Sequence, residues 1–466
     1  MTETYAWADH RLFERPDGSG ALLFGAEQAS LFSVEEETRR VLSRWRSCDA
    51  VVLDDAAPAE REVLEALRDA RILVPSRRRS PSALPAREPA TVPLATLVLE
   101  VAQACNLRCA YCYAGGGSYG GPVRLLDPDK ARRAARHLVD ASGEREAVTL
   151  VLFGGEPLLN LPAMRAAVEE VEAAAARAGK KANVALTTNG TCLTPEALAF
   201  LREHRVSVSL SIDGPPDVHD ENRRYASGSG TYRDVIEGLM RLREHTGRAP
   251  AARVTLTPAQ WSRIPEVFDH LVGLGFCEVA IAPASPVRAE LLPTKDEEEA
   301  LLRSFSALAQ RFVDEARQGR VLRFSNVLDL VAKLHQGQAR ELPCGAGLGY
   351  VALDADGKFF LCHRLAGEEA FCLGDLDGGV DQARARRCLS ELAAPRRDSC
   401  SSCWARSLCA GGCHYENHLR ENHLGLPAGT SCDFILRWLE LGIQVYASLR
   451  HAPKDVFAFL ERRAGL

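Results

Sequence analysis

Between residues 94 and 290, short apolar runs alternate with stretches of helical periodicity, and this alternation narrows the choice of fold more than any other feature. The runs are 94–101, 148–153, 183–188, 206–212, 252–256 and 277–281, separated by helical patterns at 128–142, 162–178, 195–203, 231–245 and 261–273. Strands that are apolar almost throughout are covered on both faces, which indicates a parallel sheet under helices. Chemistry on such a sheet is normally assembled at the carboxyl ends of its strands.

The first strand delivers Cys105-Asn106-Leu107-Arg108-Cys109-Ala110-Tyr111-Cys112. Three thiolates on a cubane 4Fe-4S cluster leave one iron without a protein ligand and open to an exogenous group. Zinc would want a fourth soft or imidazole ligand close by, and the residues that follow are glycines and a tyrosine.

Cys105, Cys109 and Cys112, with Tyr111 beside the last, match the CxxxCxxC signature, and the stretch resembles that of the radical S-adenosylmethionine (SAM) enzymes. The resemblance implies a partial (β/α)6 barrel in which the amino and carboxylate groups of SAM chelate the open iron. An electron from the reduced cluster then cleaves a C–S bond to give a 5'-deoxyadenosyl radical. Gly154-Gly155-Glu156-Pro157 ends the second strand and is similar to the family's GGEP motif, which contacts the SAM amino group. Thr188 and Asn189 end the third strand at a cofactor-pocket register. Ser211 and Arg223 follow from the fourth, and the resemblance puts them on the ribose and carboxylate of SAM, roles suited to a hydroxyl and a guanidinium fork. Asp213 either holds its loop or touches the ligand. No catalytic side chain is assigned by the sequence.

After Cys112 the chain runs Tyr113-Ala114-Gly115-Gly116-Gly117-Ser118-Tyr119-Gly120-Gly121-Pro122, too glycine-rich for a helix. Its bare backbone lets a substrate or nucleoside approach closely, or it is a mobile crossover. The stretch resembles the glycine-tyrosine segment of maturases of the quinohemoprotein amine dehydrogenase type.

Fifteen cysteines include nine in the last third, and with no sign of an exported small domain metal binding is the better reading than a disulfide framework. Cys344, Gly357 and Cys362 are spaced Cys-x12-Gly-x4-Cys; Cys400-x2-Cys403-x5-Cys409-x3-Cys413 follows, then Cys432. The arrangement resembles the SPASM extension, which implies two auxiliary iron–sulfur clusters and three in all; tetrathiolate zinc is the physical alternative. The resemblance assigns Cys400, Cys403, Cys409 and Cys432 to the outer cluster, and Cys344, Cys362 and Cys413 to the inner one. The inner fourth position falls to Cys372 or to a substrate thiolate. Cys362 is followed by His363-Arg364, where anaerobic sulfatase maturases carry an aspartate base, and this departure weighs against formylglycine formation.

Residues 1–75 read as a small winged-helix-like domain: a hairpin around the turn at 16–20, then helices near 34–46 and 59–70, the first capped by Ser33 with Glu36. The second helix carries Glu60, Glu62, Glu65 and Asp69, which is no DNA-reading face. The segment resembles the recognition domain of peptide-modifying enzymes, where a leader peptide adds as a strand to a free sheet edge. A proline- and arginine-rich linker at 76–93 leads to the barrel at 94–325, a SPASM domain at 326–433 and a helical segment at 434–466.

A formal charge of -5 gives no reason to expect nucleic acid, no apolar run is long enough to span a bilayer, and the first residues do not form a secretory signal; a cytoplasmic location is expected. The resemblance implies a peptide maturase that joins a cysteine sulfur to an aspartate or glutamate side-chain carbon of a ribosomally made precursor with a leader, and takes its electrons from flavodoxin or ferredoxin. The alternatives are a carbon–carbon crosslink or another oxidative peptide or sulfatase modification, and a non-enzymatic leader-binding scaffold.

Overall fold

The computed structural model describes residues 3–15, 18–76, 93–340, 342–393, 398–427 and 429–464. The linker expected at 76–93 therefore lies almost wholly outside the described residues. Two compact units share the chain: one combines 1–85, 306–343 and 393–466, the other 86–305 and 344–392.

The amino-terminal segment of the first unit contains β1 (Tyr5–Trp7), β2 (His10–Glu14), β3 (Ala21–Gly25), β4 (Ser30–Val34), α1 (Glu36–Trp45), α2 (Pro58–Asp69) and β5 (Leu73–Pro75). Strands β2, β3 and β4 form an antiparallel sheet, and β1 pairs with β5. All five residues of β3 are buried, and strand alternation explains why. Ala21 and Leu23 pack against Leu42, Leu64, Leu67 and Ile72 from the helical side. Leu22 and Phe24 face the other way, onto a cluster with Leu330, Leu334, Leu439, Ile443 and the edge of the Trp404 ring. The expected cap on the first helix is not there. Ser33 belongs to β4, opposite Leu22, and its hydroxyl accepts from the Arg15 guanidinium at 2.6 Å; the helix starts two residues later on Glu35, with no side-chain cap.

The second unit begins with β6 (Thr96–Gln103), followed by β7 (Arg124–Leu125), α3 (Pro128–Asp140), β8 (Ala147–Gly154), α4 (Leu161–Arg177), β9 (Lys181–Thr188), α5 (Pro195–Glu203) and β10 (Ser207–Ser211). Next come α6 (Pro216–Asn222), α7 (Tyr232–Thr246), β11 (Ala251–Leu256), α8 (Ile264–Gly273) and β12 (Glu278–Pro283). Six parallel strands lie in the order β6-β8-β9-β10-β11-β12, each beside its predecessor in the alternation read from the sequence. Helix α3 begins at Asp127, whose carboxylate accepts from the Asp129 and Lys130 amides, and its Ala131, Ala134 and Ala135 leave room for close packing of α4.

Beyond α9 (Lys295–Arg317) and α10 (Ser325–Gln336) the chain adds β13 (Tyr350–Leu353), parallel to β6 on its other side. An antiparallel meander of β14 (Lys358–Phe360), β15 (Cys372–Asp375) and β16 (Gly379–Val380) extends that edge. The strand carrying the cysteine triplet is thus central in the sheet. Helices α11 (Gln382–Ala393), α12 (Asp398–Ser401), α13 (Arg406–Cys409), α14 (His414–Glu421), α15 (Gly429–Ser448) and α16 (Lys454–Ala464) complete the chain. No helix among the described residues is long and apolar enough to cross a membrane.

Helix α7 sits close against the turn after β9: a Cβ on Gly238 would lie 2.3 Å from the Gly190 carbonyl oxygen. Gly238→Ala is expected to lower unfolding free energy by about 1–3 kcal/mol, measured by chemical denaturation, because rigid backbone has to move. An unchanged midpoint would show that the turn yields freely.

Candidate active site

The loop from Cys105 to Cys112 is held on three sides by backbone. On one side the Gly155 and Glu156 amides donate to the Ala102 and Ala104 carbonyls at 2.7 and 2.8 Å. On another, the Arg108 and Ala110 amides donate to Arg224 and Asn222 at 2.7 and 3.0 Å. Glycine permits the third contact: a Cβ on Gly155 would fall 2.2 Å from the Ala104 oxygen, and one on Gly117 would lie 2.8 Å from the Gly155 Cα and 2.9 Å from the Cys105 Cβ. Gly117 is buried at a positive φ of 99°. The bare backbone at this part of Tyr113–Pro122 is therefore occupied by the chain itself, and at Gly117 neither reading of an open approach or a mobile crossover applies.

Among the described residues no cysteine is joined in a disulfide. The Leu107 amide points to the Cys105 sulfur at 3.4 Å and the Gly116 amide to the Cys112 sulfur at 3.4 Å, while the Asn189 side chain donates to Cys105 at 3.8 Å and to Asn106 at 2.9 Å. Burial pushes the Cys105 thiol up to about 12 and raises that of Cys109, which the Arg223 guanidinium opposes. Thiols in this setting hold their protons unless a cation arrives, and amide donors around sulfur are the usual surroundings of an iron–sulfur centre. Among the described residues no three His, Cys, Asp or Glu side chains converge on one ion position. A cluster, which gives each thiolate its own iron, does not require that convergence. The three thiols fit such a group.

Glu156 is fully buried and accepts from the Thr188 hydroxyl and the Asn189 amide, both at 2.7 Å, and from the Leu158 amide at 3.1 Å. Desolvation nevertheless raises its carboxyl, and the three donors oppose the shift. Pro157 starts the turn that follows, and Asn160 at its end donates to the Val101 and Leu126 carbonyls at 2.7 and 2.9 Å. Gly154 and Gly155, Thr188 with Asn189, and Ser211 end neighbouring strands β8, β9 and β10.

Tyr111 joins the cysteine loop to the fourth motif. Its hydroxyl donates to Asp213 at 2.5 Å and accepts from Arg223 at 2.9 Å, while Asp213 also accepts from the Thr255 amide at 3.0 Å. Asp213 is thus tied up in holding loops. The buried Arg223 Nε has no acceptor, so this guanidinium is only partly satisfied by protein. His219, unremarked in the sequence, locks the same loop: its Nδ1 accepts from the Asp213 amide at 3.2 Å and its Nε2 meets the Thr231 hydroxyl at 2.9 Å. That bond pattern belongs to a neutral imidazole, and a strand followed by Asp-Gly-Pro-Pro-x-x-His was the available signal.

The tail cysteines are divided between the units. Cys344, Cys362 and Cys372 belong to the sheet unit, whereas Cys400, Cys403, Cys409, Cys413 and Cys432 belong to the other. The Cys362 sulfur accepts from the Arg364 amide at 3.5 Å; Cys372, buried on β15, donates to the Gly374 carbonyl at 3.6 Å. His363 binds the Tyr350 hydroxyl through Nδ1 and meets Phe153 edge-to-face, with ring centroids 4.8 Å apart.

Residues 99–271 match the Radical SAM superfamily. The chain is 26% identical over 368 residues to the serine-type anaerobic sulfatase-maturating enzyme of Klebsiella aerogenes, covering 75% of this chain and 84% of that protein. Its fold resembles anSMEcpe with bound AdoMet at a TM-score of 0.67 and 17% identity, covering 80% of this chain and 99% of the other. Streptococcus suis SuiB bound to precursor peptide SuiA is similar at a TM-score of 0.53 and 14% identity, covering 92% and 99%. Residues 99–271 thus carry a radical SAM core, and the chain has the radical SAM core fold with a SPASM-like extension. None of these relatives is a quinohemoprotein amine dehydrogenase maturase, so the narrower resemblance drawn from Tyr113–Pro122 finds no support among them.

Gly155→Val is expected to break the backbone clasp, and reconstituted protein should then lose roughly one cluster's four irons on elemental analysis; full iron content would count against the clasp. Burial lowers the His219 pKa from 6.5 to about 3, so its contribution to stability is lost as the pH falls below 6.5, because the unfolded chain takes up the proton first. A folded-state His219 resonance that stays neutral down to about pH 4 is the expected result, and titration near the ordinary value would contradict it.

Proposed function

We propose that this protein oxidises a side chain of a peptide or protein substrate by SAM-derived radical chemistry. The observation that carries this reading is the clasped cysteine triplet beside Glu156, Asn189 and Arg223, at the strand ends of a sheet whose relatives act on sulfatases or bind a precursor peptide. A cluster on Cys105, Cys109 and Cys112 would supply the electron that splits SAM.

The chain's own residues supply binding and exclusion of water. Arg223, with its Nε unpaired and Nη1 braced by Tyr111, suits the SAM carboxylate, and Ser211 the ribose. Gly154, Gly155, Glu156 and Pro157, with Thr188 and Asn189, would line the amino-group end, where a buried carboxylate favours an ammonium. Cys344, Cys362 and Cys413, with Cys372 or a substrate thiolate, and Cys400, Cys403, Cys409 and Cys432 are the proposed ligands of two auxiliary clusters. Residues 1–75 would bind the leader at a sheet edge, since among the described residues β2 and β4 each pair only with β3. Flavodoxin or ferredoxin would be the electron donor.

Similarity to sulfatase-maturating enzymes favours a simple oxidative side-chain modification over thioether formation. One observation keeps the thioether reading as the second choice: the residue after Cys362 is His363, held by Tyr350, and not a carboxylate. Mass spectrometry of a candidate peptide after anaerobic turnover separates them. Oxidation of a serine to an aldehyde loses two hydrogens and leaves every thiol intact, oxidation of a cysteine to an aldehyde replaces its sulfur with oxygen, and a thioether loses two hydrogens while keeping the sulfur and adding a ring.

Arg223→Gln is expected to weaken SAM binding by about 10–100-fold, as loss of a charged hydrogen bond predicts, while iron content is retained. Equal affinity in equilibrium dialysis would remove Arg223 from the cofactor site.

A further inference from the structure

Glu100 is the most anomalous side chain in the sheet unit. It lies on the strand leading to the cysteine triplet, opposite Phe153 of β8, and is wholly inaccessible, yet among the described residues neither carboxylate oxygen has a hydrogen-bond partner. Its neighbours Tyr119 and Gln103 approach without reaching hydrogen-bond geometry; the Tyr119 hydroxyl and the Gln103 oxygen are also buried without partners. Leaving a buried polar group unmade costs about 1–3 kcal/mol, more when it is charged, so three such groups at one place call for a use. The surroundings suggest one. Tyr119 comes from the loop after Cys112, whereas Phe153 meets His363, the residue after Cys362, in an edge-to-face contact. Glu100 thus sits between the loop of the first cysteine group and the turn of the next.

The other acids around this region are occupied. Glu156 accepts three hydrogen bonds, Asp213 is held by Tyr111 and Thr255, and Asp354 accepts from the Asp356 and Lys358 amides. His363 is engaged by Tyr350.

We propose that Glu100 is the proton acceptor in the oxidation of the substrate. This rests on the function proposed above. Removing a hydrogen atom breaks a substrate C–H bond and makes the C–H bond of 5'-deoxyadenosine. The remaining oxidation takes one electron, passed to an acceptor of the iron–sulfur class, and one proton, which leaves a substrate heteroatom for a Glu100 oxygen. Among the described residues neither oxygen is committed to a partner, so each can take a proton; because the group is wholly inaccessible, the proton reaches it through the adjoining Tyr119 hydroxyl and not by direct contact. Burial places its carboxyl well above the usual range, with Asp354 adding to the shift, so it is a stronger base than an exposed glutamate. Tyr113, Tyr119 and Asp354 are the titratable groups that face it.

The test is Glu100→Gln in the full-length, cluster-loaded protein, since glutamine reproduces a neutral carboxyl but accepts no proton. Expected are wild-type iron content, melting temperature and SAM cleavage, with product formed per 5'-deoxyadenosine reduced about 100-fold. Wild-type product formation should rise with pH through the Glu100 titration, and that limb should vanish in E100Q. The infrared carbonyl band of the Glu100 carboxylic acid should grow as the pH falls, with the midpoint of the product-formation limb, and should be absent in E100Q. Unchanged coupling in E100Q, or a band whose midpoint does not follow the product-formation limb, overturns the proposal and leaves Glu100 a structural acid. If E100Q does not load iron, Glu100→Asp decides: a recovered product ratio with a shifted pH midpoint supports the base, and an unshifted midpoint overturns it. A wild type that makes no 5'-deoxyadenosine overturns the proposed function and this inference with it; a wild type that works beside a fully coupled E100Q overturns this inference alone.

Discussion

The site depends on one clasp: two amides of the Gly155-Glu156 turn bonded to the carbonyls of Ala102 and Ala104, with Gly117 pressed against Gly155 from the far side. No side chain beyond hydrogen fits between these strands of backbone. The cysteine loop is consequently positioned by main chain, which has little rotamer freedom to lose. Its thiols can be held in low-dielectric surroundings that would otherwise keep them protonated. Loop geometry and thiol chemistry are therefore two results of the same packing.

Around that clasp the buried charges divide into satisfied and unsatisfied groups. Glu156 and Asp213 each meet several donors, and His219 stays neutral by accepting from one amide and meeting one hydroxyl. These groups join the ends of β8, β9, β10 and β11 into one frame. Glu100 and the Arg223 Nε are the exceptions, buried without partners on opposite sides of the cysteine loop's sequence neighbourhood. In a frame so fully paired elsewhere, these unpaired polar atoms are where the proposed ligand and proton roles are placed.

The first unit follows a different logic. The central strand β3 is apolar on both faces because each face has its own cover: the helices α1 and α2 on one, and α10, α15 and Trp404 on the other. Trp404 stands between Cys403 and Cys409 in sequence, so the amino-terminal sheet is packed directly against the segment that bears the tail cysteines.

Much of this was legible in the chain. The runs at 148–153 and 183–188 predict strands that the structure extends to Ala147–Gly154 and Lys181–Thr188, and the helix expected at 195–203 is Pro195–Glu203. Period and capping are local properties, so local reading finds them. The cysteine spacing likewise determined which residues sit on one loop, because eight residues cannot reach far. Ser33 was misread as a cap because its strand pairing with Leu22 is a contact eleven residues away, which outweighs a local capping preference. The parallel strand β13 beside β6, the contact of Gly117 with Gly155, and the isolation of Glu100 all require segments distant in sequence to meet. Sequence alone determined the alternation, the motifs and their placement at strand ends. Only the tertiary structure decided which buried charges found partners, because a hydrogen bond depends on what lies opposite, and that is set by packing and not by spacing along the chain.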